Sequence, residues 1–102
     1  MIAETVIAAR KPKGFRTLAI SSTAKLLSEA TGGIPKGTSR AIISVATDAI
    51  RWRDDGTAPT ATVGIYVAAL ASIELPSIEA IKAFQAIRVT TDAALNIAYY
   101  GE

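Results

Sequence analysis

The strongest constraint in this chain is a two-residue hydrophobic rhythm that is repeatedly cut short. In "RAIISVAT", Ala41, Ile43 and Val45 point one way, with Ile42 and Ser44 opposite. "AIRWR" sets Ile50 and Trp52 against Arg51 and Arg53, and "ASIEL" sets Ile73 and Leu75 against Ser72 and Glu74. "AALNIAYYG" repeats the pattern, with Leu95, Ile97 and Tyr99 against Asn96, Ala98 and Tyr100. Successive side chains leave a strand on opposite faces, so such runs read as half-buried strands. Gly, Pro, Asp or Ser closes most runs, giving seven or eight strands at roughly ten-residue intervals. The expected class is all-β: a small antiparallel β-sandwich, jelly-roll-like, or a small barrel. The helix-strand alternation of a parallel α/β sheet is missing.

Other segments are less regular. "FRTLAIS", Phe15 to Ser21, alternates Phe15, Thr17 and Ala19 against Arg16, Leu18 and Ile20, a strand with both faces partly apolar. "TAKLLSEATGGIPKG" accommodates one or two helical turns ended by Gly32–Gly33, or equally a strand and a loop. A strand is expected around Val63 to Val67, with Gly64 as a bulge or a site of close approach. In "AIKAFQAIRV", Ile81, Phe84, Ile87 and Arg88 fit helical spacing. The setting favours a strand over Phe84 to Val89, after a turn or one helical turn near Ser77–Ala80. Residues 1–14, containing "RKPKG", read as a basic amino-terminal arm, and 15–102 as one sandwich domain.

With 102 residues, the chain has room for one modest core, and its hydrophobic half is mostly Ala, Ile, Val and Leu. Small side chains each bury little area, so subunit contacts, as in a homo-oligomer, are an expected source of further stability. The absence of cysteine and histidine removes disulfides, thiolate sites, the commonest zinc ligands and the usual neutral-pH proton shuttle. No metal, cofactor or catalytic residue is expected, and the chain reads as a non-enzyme. The net charge of +2 is unevenly spread: residues 1–53 hold nine of the eleven Lys and Arg, and 54–102 hold six of the nine acids. Such bipolarity suits layered association better than nucleic-acid binding. No apolar run reaches membrane-spanning length, and "VIAA" does not make a secretory signal. The expectation is a soluble, unprocessed chain without nucleic-acid or membrane partners.

Searched for chemistry, the sequence offers surfaces instead. Asp54 and Asp55 are neighbours, which on a strand point apart and cannot share a proton. Asp55–Gly56 after an alternating run is a turn signal: Gly56 accepts positive φ and Asp55 bonds local backbone, which makes the segment the shoulder of a hairpin. Arg51 and Arg53 share a strand face, either a solvated one or a pair of guanidinium groups that grips carboxylates of another subunit. "TGGIPKGTS" lacks the spacing of a phosphate loop. "ARKPKGFR", with Arg10, Lys11, Lys13 and Arg16, has neither interleaved aromatics nor a recognition helix, so a subunit-crossing arm is preferred to a nucleic-acid contact. Tyr100, outward beside an inward Tyr99, suits a subunit contact.

"AIRWRDDGTAPTATVG", "ASIEL" and "IKAFQAIRVTTDAALNIAYYG" together resemble small β-sandwich virion proteins of tailed bacteriophages and prophages. Those chains carry a strand ending in Arg-x-Arg, an Asp-Gly turn, a Pro-Thr-Ala segment before Val-Gly, and a last strand of the Leu-x-Ile/Val-x-Tyr kind. The resemblance covers about residues 40–101 and consists of strands and turns, with no catalytic signature. It implies a structural role: a capsid decoration (cement) protein on major capsid protein, or a neck, tail or fibre-attachment ring. It also implies a virion location after synthesis in the bacterial host cytoplasm. A carbohydrate-binding sandwich is the remaining alternative, with Trp52, Tyr66, Tyr99 and Tyr100 as its aromatics.

Overall fold

The structure is a computed structural model that describes residues 10–102. Eight strands lie in chain order: β1 (Lys11–Ile20), β2 (Lys25–Leu26), β3 (Thr38–Ala46), β4 (Ile50–Arg53), β5 (Ile65–Val67), β6 (Ser72–Leu75), β7 (Gln85–Arg88) and β8 (Ala93–Gly101). A 3-10 turn, Leu27–Glu29, follows β2, and one short helix, α1 (Ile78–Ala83), joins β6 to β7. The strands form two antiparallel four-stranded sheets, ordered β1-β8-β3-β6 and β2-β7-β4-β5. The architecture is mostly β and sandwich-like. Among the described residues no helix is long and apolar enough to cross a membrane.

The core lies between the sheets and follows the two-residue rhythm. Ala41, Ile43 and Val45 of β3, Ile50 of β4, Leu75 of β6, and Leu95, Ile97 and Tyr99 of β8 are all buried. β1 contributes Leu18 and Ile20, while Phe15 on its other face stands in solvent. Trp52 is half-buried and stacks on buried Phe84, with ring centroids 5.2 Å apart. Burial pushes the phenol of Tyr99 up to about 12, and its hydroxyl finds no partner among the described residues.

Several boundaries differ from the sequence expectation, each for a physical reason. The expected arm does not extend to residue 14: Lys11 and Pro12 already pair with Gly101 and Tyr100, and an irregularity between Pro12 and Gly14 absorbs Lys13. β1 is an edge strand, where a proline without an N–H is tolerated. Residues 1–9 of that arm lie outside the described residues. Of the two readings left open for "AKLLSEA", the structure takes the strand, followed by a 3-10 turn, because β2 pairs with β7 and the Glu29 carboxylate accepts the Leu26 N–H at 2.8 Å. α1 extends beyond the expected single turn, with the Ser77 hydroxyl accepting the Ala80 N–H at 3.2 Å and Ile81 buried. β7 therefore starts at Gln85, and β5 starts at Ile65 rather than Val63.

Candidate functional site

The 54–64 connection between β4 and β5 is the most elaborately shaped surface segment. Arg51, mid-strand in β4, turns its guanidinium along it: Nε donates to the Ala61 carbonyl at 3.0 Å and Nη1 to the Gly64 carbonyl at 3.1 Å. The same group lies over the Tyr66 ring, 5.4 Å from its centroid, as expected because Arg51 and Tyr66 are cross-strand partners. Arg53 pairs with Asp55, its Nε donating to Oδ1 at 3.0 Å. That hydrogen bond is the main reason the Asp55 carboxyl sits below the usual carboxylate range. Asp55 Oδ1 also accepts the Thr57 N–H, and Gly56 takes φ +87, as the Asp-Gly turn requires.

The far half of the connection is fixed in the same way. The Thr60 hydroxyl accepts the Val63 N–H at 2.9 Å, and Thr60 and Val63 exchange backbone hydrogen bonds. Pro59 is buried, and Gly64 has φ +141. A β-carbon on Gly64 would come within 3.1 Å of both the Arg51 and the Pro59 β-carbons. Close approach is therefore the reason for glycine at this position.

This segment walls an open pocket of about 420 Å³, lined by Trp52, Arg53, Asp54, Asp55, Val63, Gly64 and Ile65. Its lining joins the apolar Trp52, Val63 and Ile65 to the Arg53–Asp55 pair and Asp54. The buried Trp52 indole N–H has no acceptor among the described residues. Val63 and Ile65 of its lining are themselves exposed, as is neighbouring Tyr66, and Leu70 projects from the turn after β5.

The residues singled out in the sequence do not converge on one site. Arg51 and Arg53 share the strand face expected of them, but their side chains are engaged within the chain by loop carbonyls and Asp55. This explains the "RWRDDGTAPTATVG" pattern as a device for setting loop shape. Arg16 behaves similarly on β1, where its Nε donates to the Gly33 carbonyl at 3.0 Å and ties down the 32–33 turn. Arg10, Lys11 and Lys13 lie near the Gly101 end of β8: Lys11 pairs with Gly101, and the Lys13 side chain passes over Gly37 and Gly101. Lys36, beside Gly37, adds a further exposed cation there. Tyr100 lies on the outer face of the first sheet, across from Pro12 and Arg40, and Arg40 forms an ion pair with Glu74.

Sequence reasoning missed Leu70. Only backbone context reveals it: a φ of +74, with its N–H donated to the Val45 carbonyl at 2.8 Å. A run without a charged residue between Asp55 and Glu74 was the available signal. Comparisons with protein-family models, with curated proteins and with solved structures each gave no match for this chain.

Proposed function

We propose that this chain is a non-enzymatic structural protein of a bacteriophage particle, a decoration (cement) protein that binds and stabilises the assembled major capsid shell. The observation that carries this reading is how the chain uses its polar groups. Arg16, Arg51, Arg53, Asp55 and Thr60 are turned onto the chain itself and fix loop shape, while apolar side chains are left outside. A rigid, preorganised surface of this kind serves protein contact, because little ordering entropy is lost on docking.

The strand order supports the finer fold reading, a jelly roll. β1 pairs with β8, β2 with β7, β3 with β6 and β4 with β5, the pattern of one long hairpin wrapped around a core. Jelly rolls recur in capsid and lectin domains, an associational argument that agrees with the resemblance of residues 40–101. Arg51, Arg53 and Arg16 have internal partners, so the shell contact is assigned to Arg10, Lys11, Lys13 and Lys36 around the Gly101 end, facing acidic shell surface. Many copies, each bound weakly, then add up to a strong clamp on the shell.

The test is the copy number of the chain in purified virions relative to major capsid protein, by quantitative mass spectrometry. A count comparable with capsid subunits supports decoration. A handful of copies moves the chain to a neck or tail ring, and absence from the particle overturns the reading. In co-sedimentation with assembled shells, the double variant Lys11→Glu, Lys13→Glu loses binding, and raised salt weakens the native chain.

A further inference from the structure

Four of the six large hydrophobic side chains that stand exposed among the described residues are Val63, Ile65, Tyr66 and Leu70, gathered on β5 and on the segments that lead into and out of it. β5 is the outer strand of its sheet, and no backbone hydrogen bond among the described residues reaches its open side. Edge strands are ordinarily blunted by lysine, proline or inward charge. β5 carries none of these, since no charged residue occurs between Asp55 and Glu74, and its three-residue length is what restricts pairing there to a few hydrogen bonds. Leu70 is the sharpest anomaly: a leucine 90% exposed and held at φ +74. The turn hydrogen bonds from Leu70 to Val45 and from Ala71 to Ala68 hold this left-handed backbone, while the leucine side chain itself buries almost nothing within the described residues.

We propose that two copies of this chain pair antiparallel through β5, joining two four-stranded sheets into one continuous eight-stranded sheet, with Leu70 of each copy seated in the Trp52–Val63–Ile65 pocket of the other. Three observations select a second copy as the occupant. A strand edge offers donors and acceptors alike, so it complements itself under a two-fold axis. Antiparallel pairing centred on Tyr66 brings the end of β5 that leads to Leu70 beside the Val63–Ile65 end of the second copy, where the pocket opens. β5 itself is uncharged, and the neighbouring Arg51, Arg53, Asp54 and Asp55 balance one another, so no net charge opposes a second copy. This pairing goes beyond the virion reading and takes the exposed apolar surface, whereas shell binding is assigned to the cations at the Gly101 end, so dimerisation and shell binding can fail separately.

Sedimentation velocity of the full chain over a range of concentrations tests it. The native chain should sediment as a concentration-dependent dimer. Leu70→Asp, at an exposed left-handed position that aspartate accepts, should weaken the dimer by at least about tenfold while leaving the circular dichroism unchanged. The absence of native cysteine gives a second arm independent of stability. Tyr66→Cys sets the thiols of two copies opposite each other and should cross-link rapidly with a short bis-thiol reagent, whereas exposed Thr23→Cys should not. A monomer at all concentrations, an oligomer indifferent to Leu70→Asp, or equal cross-linking at positions 66 and 23 would overturn the proposal. Loss of shell binding with the dimer intact would count against the virion reading alone.

Discussion

The two sheets hold their shape by different means. In the β1-β8-β3-β6 sheet, three strands run for nine or ten residues, and nearly every second side chain of β3 and β8 goes into the core. In the β2-β7-β4-β5 sheet no strand exceeds four residues. There, side chains take over part of what ladder hydrogen bonds do in the first sheet: Arg51 binds two loop carbonyls, Arg53 pairs with Asp55, and Thr60 caps its own turn. Long alternation stabilises through buried area, whereas short strands need polar pins. The pinned sheet is also the one whose edge carries most of the exposed apolar side chains, so the surface suited to docking lies on the part whose shape is set by specific contacts.

Substitutions can break this comparison, and the largest effect belongs to the first sheet. Ile97→Ala, at a buried position paired on both sides, should cost about 2–5 kcal/mol in urea denaturation, against under about 0.5 kcal/mol for Ile65→Ala on the open edge. Equal costs would mean that the two sheets are stabilised alike. Gly64→Ala should cost about 1–3 kcal/mol, because the new β-carbon meets Arg51 and Pro59 and the backbone is held at φ +141. Arg51→Ala should cost about 1–2 kcal/mol and speed hydrogen exchange at Val63, with no rescue by Arg51→Lys, whose single ammonium cannot reproduce the two-point fork.

Smaller effects sharpen the contrast. Tyr99→Phe removes a buried hydroxyl that has no partner among the described residues and should be neutral or stabilising by up to about 1 kcal/mol. Asp55 tests the pinned sheet by pH. Its folded pKa lies below the unfolded value, so its contribution is present above the unfolded value and lost as pH falls through the folded one. A carbon-detected NMR titration should place Asp55 below an ordinary aspartate in the native chain and return it upward in Arg53→Ala.

Legibility in the sequence followed the same division. The inward residues of β3 and β8 could be read directly, because long alternation admits only one burial pattern. β1 was harder: Phe15 and Leu18 are equally apolar, and only the position of the second sheet puts Leu18 inside and Phe15 outside. The Asp55–Gly56 turn was legible because it is local. The role of Arg51 was not, since the carbonyls that engage it lie ten and thirteen residues away, whereas Arg53 pairs with Asp55 only two residues on, a local partner the strand-face reading passed over.

By itself, then, the sequence determined a β class, an approximate strand count, the buried stripes of β3, β6 and β8, and the absence of thiol and imidazole chemistry. Each of these depends on residue type or on a two-residue period, and both are properties of the chain before it folds. Tertiary structure alone decided that Lys11–Gly14 belong to a strand and that the arginines of β1 and β4 bind loops. It also decided that Leu70 stands outward beside an unpaired edge. The physical reason is that a hydrogen-bond partner or an exposed face belongs to a pair of segments, and the fold brings those segments together.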